Sequence, residues 1–160
     1  MGATLESLMY GIGQLFLMPV LLAITALFGY ACFALGAFAW QARQRRRGHP
    51  AGFELRQAKC ASPNLDAAAL EGLAARRLEL ARIASRVTPL LGLVATMIPM
   101  GPALQALGSG QLADVSRSLT VAFSAVILSL ISAAATHAVV QVRRRWYLTD
   151  LAALRAEESA

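Results

Sequence analysis

The chain has 160 residues, of which 57% are hydrophobic and 15% charged, with 15 basic against 9 acidic side chains and a net charge of +6. One domain fits that length, but an apolar share well above that of soluble domains excludes an ordinary water-soluble fold. Two cysteines, Cys32 and Cys60, make no disulfide framework and no metal-ligand spacing.

Charge is absent between Glu6 and Arg43 and between Arg86 and Asp114. Between Arg117 and Arg143 only His137 intervenes, and it is mostly neutral near pH 7. Each run exceeds the roughly 20 apolar residues that cross a bilayer's hydrocarbon core. The pattern predicts an all-α membrane protein with three transmembrane helices and a long helix extending into the cytoplasm. Its segments are an outer N-terminal segment 1–14, a first transmembrane helix 15–42 and a cytoplasmic loop and helix 43–86. The second and third transmembrane helices follow over 87–142, then a cytoplasmic tail over 143–160. Every Lys and Arg except Arg117 falls on one side of this topology. The positive-inside rule then sets the N-terminus outside and the C-terminus in the cytoplasm. The first run is too long for a signal-peptide core, and no basic segment precedes it.

In chain order, Gly11-Ile12-Gly13 breaks the opening segment, which suits a short interfacial piece. The first span covers roughly Leu15 to Trp40, with Trp40 an interfacial aromatic at its inner end. Gly29, Ala31, Ala34, Gly36 and Ala37 make a small-residue stripe that suits close helix approach or simply a lipid-facing helix. Arg43 to Arg47 read as a topological anchor against acidic headgroups. Residues 48–63, with Gly48, Pro50, Gly52 and Pro63, read as irregular loop, and Ser62-Pro63 as a helix start. From there to Arg86 the sequence is rich in strong helix formers. Leu70, Leu73, Leu80, Ile83 and Val87 fall near one face, and this helix is expected to run on into the second span.

The second span covers about Val87 to Leu107 and carries Pro89, Pro99 and Pro102. In water such prolines break a helix. A membrane helix tolerates them where neighbours or hydroxyls satisfy the freed carbonyls. Gly108-Ser109-Gly110 is a turn signal, so spans two and three form an antiparallel hairpin, with Asp114 or Ser116 capping the third helix. Along the third span, about Leu119 to Val142, Ala122, Ala125, Ser129, Ser132, Ala133 and Thr136 recur every three or four residues on one side. Thr120 and Ser124 lie on an adjacent strip. Such a stripe belongs to helices that pack tightly. Arg143-Arg144-Arg145-Trp146-Tyr147 closes the span, and a short helix is expected from Asp150.

No span carries Asp, Glu, Lys or Arg, so this chain alone lacks an intramembrane proton carrier. His137 reads as an interfacial histidine rather than a relay. There is no nucleophile–base pair, metal cluster or phosphate-cradling loop, so neither an enzyme nor a cofactor is expected.

The stretch Ile83-Ala84-Ser85 with Thr88-Pro89-Leu90-Leu91-Gly92-Leu93-Val94-Ala95-Thr96, and the stretch Ser116 to Leu130, resemble the second and third spans of the MotA/TolQ/ExbB proton channel family. The resemblance covers Leu80 to Leu154. Ile98-Pro99-Met100-Gly101-Pro102 and Arg143 to Tyr147 are similar to a small branch of it. The resemblance implies a homo-oligomeric ring, a pentamer, in a bacterial or archaeal inner membrane. The ring surrounds a single-span partner of the ExbD/TolR/MotB kind that carries the membrane aspartate, and proton passage drives the partner's rotation. A carboxylate in a low-dielectric pore has a raised pKa and can cycle between its two forms. The pore-lining candidates are then Thr88, Thr96, Thr120, Ser124 and Ser129, and the helix-packing candidates Gly92, Ala122, Ala125 and Ser132. Thr96 falls on the family's second-span threonine. The third-span threonine falls on Val126, the glutamate at the start of that span on Val121, and Ala95 replaces a glycine. Ser124 or Thr120 would have to supply the missing hydroxyl. The alternative is a non-conducting scaffold that packs partner helices. An unrelated three-span protein, such as a transporter fragment, would show repeated halves and polar midplane residues, and neither is present.

Overall fold

The computed structural model describes residues 2–49, 52–62 and 67–159. Its elements are four helices: α1 (Gly2–Arg46), α2 (Glu54–Ala61), α3 (Ala67–Gly108) and α4 (Leu112–Ser159). Three of them, α1, α3 and α4, are long and apolar enough to cross a membrane. α3 continues without interruption through Pro89, Pro99 and Pro102 into the second apolar run. Gly108-Ser109-Gly110 turns the chain, with Gly110 at φ 75°, a left-handed conformation that costs glycine nothing.

Several local expectations are corrected. Gly11-Ile12-Gly13 does not break α1, which passes straight through it. A glycine costs a helix only about 1 kcal/mol, which the surrounding apolar run absorbs. The 48–63 segment contains α2. Ser62 closes that helix, its N–H bonding the Ala58 carbonyl at 3.0 Å, and the proposed start at Pro63 lies outside the described residues. α4 begins at Leu112, so Asp114 sits inside its first turn. The N–H groups of Asp114 and Val115 bond the Gln111 carbonyl, which makes Gln111 rather than Asp114 or Ser116 the entry residue.

The chain divides into two compact units, Met1–Tyr30 with Arg86–Ala133 and Ala31–Ser85 with Ala134–Ala160. In the first, the centre is Val20 and Ile24 of α1, Ala95 of α3 and Ala125 of α4, with Leu21, Leu91 and Leu128 packed around them. In the second, the centre is Leu55 of α2, Leu70, Ala74 and Leu78 of α3, and Tyr147, Leu151 and Leu154 of α4.

The apolar face read on α3 divides along its length. Leu70 is buried and Leu73 packs beside it, but Leu80, Ile83 and Val87 are exposed. The buried line instead runs Leu70, Ala74, Leu78, Ala81, Ala84 and Thr88. From Ala81 onward small residues face the neighbouring helices and large ones such as Ile83, Val87, Leu90 and Leu93 face outward. This is the arrangement expected where lipid is as apolar as leucine and helix association depends on close packing.

Candidate functional site

In the first unit, α3 and α4 approach closely at Gly92. A Cβ on Gly92 would collide with the Ser129 hydroxyl and lie 2.9 Å from its Cβ and 3.8 Å from the Val126 Cα. Ala122, Ala125, Ser129 and Ser132 are all buried, as are Ala133 and Thr136. The small-residue stripe expected on the third span is therefore its packing face. Thr88 and Ser129, named as pore-lining candidates, are 1% and 0% exposed. Both are enclosed within this chain's own helix packing.

The remaining three candidates separate. Each helical residue is turned about 100° from the one before it. Thr96 lies one turn past Gly92, on the side where Gly92 meets Val126 and Ser129. Leu91 and Leu128 pack toward α1 instead. Thr96 and Val126 thus share the flank of the α3–α4 pair that faces away from α1. Ser124 is one turn before Leu128, on the opposite flank, with Thr120 one turn further. Both are exposed, whereas Thr96 is half-buried.

The hydroxyls are satisfied inside their own helices. Thr96 Oγ1 donates to the Leu93 carbonyl at 2.7 Å, Thr120 Oγ1 to Ser116 at 2.8 Å and Ser124 Oγ to Thr120 at 2.8 Å. Ser129 and Ser132 donate to Val126 and Leu128. Back-bonding of this kind lets a hydroxyl sit in an apolar setting without an orphaned donor. It leaves the oxygen lone pairs of Thr96 as acceptors toward the surface.

The second unit holds polar chemistry that sequence reasoning missed. Arg45 pairs with Asp150, their side chains 12% and 6% exposed. Its Nε donates to the Gly52 carbonyl at 2.8 Å. The guanidinium lies over the Phe53 and Trp146 rings, 4.7 and 4.9 Å from their centroids. Trp146 in turn stacks on Phe38 at 5.2 Å. A Cβ on Gly52 would come within 2.8 Å of the Arg45 backbone nitrogen, so the close approach requires glycine there. The sequence signal was Asp150, an acid on the seam of α4 that runs through Tyr147, Leu151 and Leu154.

Beside it, Tyr147 donates to Glu54 Oε2 at 2.7 Å and Arg77 pairs with the same carboxylate. Burial pushes the Glu54 carboxyl up, but the hydrogen bonds from Tyr147 and Arg77 and the Arg77 charge outweigh it. They hold it below its ordinary 4.5. A depressed carboxylate pKa contributes stability that is present above the unfolded value and lost as pH falls through the folded one. The Glu54 contribution to the unfolding midpoint is therefore expected to be full above about pH 4.5 and to be lost below it, so that Glu54→Gln has a shallower acid limb than wild type. An identical acid limb in the variant would contradict the assignment.

His137 is exposed, its Nε2 lying 3.4 Å from Gln141 Nε2. Cys32 and Cys60 are free and exposed. Among the described residues no cluster of three metal-ligating side chains occurs. Compared with protein-family models, curated proteins and solved structures, the chain matches none of them.

Proposed function

We propose that the chain is the ring-forming subunit of a membrane complex that couples an ion gradient to work on a single-span partner. The observation that carries this reading is Thr96. It lies on a surface flank of the α3–α4 pair, in a Thr-Pro-Leu-Leu-Gly-Leu context like that of the MotA/TolQ/ExbB second span, with its oxygen free to accept. A protonated carboxyl on a partner helix would donate to that oxygen. Rotation of the hydroxyl away from the Leu93 carbonyl would let it donate to the ionised form. The large apolar side chains left exposed around it, Leu93, Met97 and Met100, suit a neighbouring copy, a partner helix or lipid. In this reading the ring is a pentamer in a bacterial or archaeal inner membrane, with the N-terminus outside, the long loop and tail in the cytoplasm, and the aspartate supplied by the partner.

A second reading is favoured by one observation. Val126, beside Thr96 on the same flank, has no hydroxyl, and Ser124 and Thr120 lie on the other flank. A pore facing the Thr96 flank would carry one threonine per copy rather than two. The chain would then be a non-conducting scaffold that packs partner helices.

The test is reconstitution with a single-span, aspartate-bearing partner and measurement of proton flux into vesicles under an imposed potential. Thr96→Val is expected to abolish flux while native mass spectrometry still finds the ring, and Thr96→Ser to retain it. A ring that forms but conducts nothing even with Thr96 intact selects the scaffold. A chain that forms no ring removes both.

A further inference from the structure

We propose that Trp40, Arg43, Gln44 and Arg47 form a binding site for the phosphate of an anionic glycerophospholipid. The proposal rests on α1 crossing a membrane and is independent of what the chain conducts. These four residues line a recess of about 250 Å³. They are spaced i, i+3, i+4 and i+7, so they share one helix face. Arg47 lies just past the end of α1, yet its N–H still bonds the Arg43 and Gln44 carbonyls at 3.2 and 3.1 Å. The turn that sets the spacing is therefore kept.

Three features identify the ligand. First is level: Arg43 is the first charge after the long uncharged run, so the recess opens where hydrocarbon gives way to headgroups. The Trp40 indole, 66% exposed, suits that boundary, with its ring toward the acyl region and its N–H toward the polar one. Second is the donor set. Along this one face the side chains carry an indole N–H, a carboxamide and two guanidinium forks, and guanidinium binds phosphate oxygens in pairs. Third is charge. Among the described residues neither Arg43 nor Arg47 makes an ion pair, in contrast to Arg45, which is committed to Asp150. A recess with two uncompensated cations favours a headgroup with net negative charge over a zwitterion, whose own ammonium would be repelled.

The neighbouring Arg46 supplies a control. It carries the same charge at the same helix end and is also exposed, but it is turned about 100° from Arg47, off the face. None of the substituted arginines contributes to the core, so the variants should fold.

The experiment is native mass spectrometry of the full chain titrated with phosphatidylglycerol or phosphatidylcholine. The wild-type chain is expected to retain phosphatidylglycerol preferentially. Arg47→Gln should weaken it roughly fivefold and Arg43→Gln with Arg47→Gln roughly 25-fold, from the usual gain per basic residue at an anionic surface. Arg46→Gln should stay within about twofold. Trp40→Phe, which keeps the ring and removes the N–H, should show an intermediate loss. Equal losses in the Arg46 and Arg47 variants would mean diffuse attraction and overturn the site. So would equal retention of phosphatidylcholine. Displacement of the lipid by millimolar inorganic phosphate would make it a free-anion site and overturn the lipid assignment.

Discussion

Replacing Asp150 with alanine is expected to cost about 3–5 kcal/mol, enough to unfold much of the second unit. The cost comes from what remains rather than from what is lost. Arg45 would stay enclosed between the Phe53 and Trp146 rings, its Nε still tied to Gly52, with no carboxylate to balance it. Breaking a buried pair by removing one partner strands a charge, and that penalty sets the scale. Arg45→Lys should also fail, though by less. An ammonium is a point charge and cannot reach Gly52 and Asp150 together while stacking on two rings. The informative variant removes both charges. Arg45→Met with Asp150→Leu should recover most of the loss, because apolar replacement of a whole buried pair is often close to neutral. The measurement is a denaturant unfolding midpoint in detergent for the two singles and the double. A double variant as unstable as the singles combined would show that the charges, and not the stranded partner, set the cost.

This cluster marks where the sequence stopped being informative. Uncharged runs fixed the three apolar helices, because hydrocarbon leaves no latitude about charge. The small-residue stripe from Ala122 to Thr136 was legible for a related reason, since close packing between membrane helices needs small side chains at helical spacing. Arg45 was not legible. In the sequence it is one arginine among four neighbours, and reading all of them as a topological anchor is the ordinary inference. Only the fold brings Gly52, Phe53, Trp146 and Asp150 around it, and all four come from segments read as loop or tail. For the Leu80, Ile83 and Val87 face the sequence stopped short for the opposite reason. Periodicity finds an apolar side but does not say whether it meets protein or lipid. The pore candidates divided for lack of a third dimension: Thr88, Thr96 and Ser129 look alike as hydroxyls in apolar helices, and only packing separates the enclosed Thr88 and Ser129 from the half-buried Thr96.

Gly92 is the position where packing and the proposed activity come apart. Gly92→Ala is expected to destabilise the hairpin and Gly92→Leu to prevent its assembly. The alanine Cβ would meet the Ser129 side chain at 2.9 Å, and Ser129 has little room to yield. It is fully buried, and its hydroxyl is spent on the Val126 carbonyl at 2.8 Å. Turning it away would orphan a buried donor, at about 1–3 kcal/mol. Overpacking costs about as much, while alanine returns roughly 1 kcal/mol of helix propensity over glycine. The net effect of alanine is therefore a loss of about 1–5 kcal/mol, and leucine, which regains nearly the same propensity, adds far more overpacking. Ser129→Gly should rescue Gly92→Ala, because it vacates the space the new methyl needs. A double-mutant cycle on the unfolding midpoint should show favourable coupling between them. Simple additivity would mean that the helices are not in contact there. Thr96→Val, one turn along α3, should leave the same midpoint unchanged, since its hydroxyl bonds only its own helix. A variant that folds and assembles but no longer conducts would place the chemistry at Thr96, and one that fails to assemble would place the architecture at Gly92.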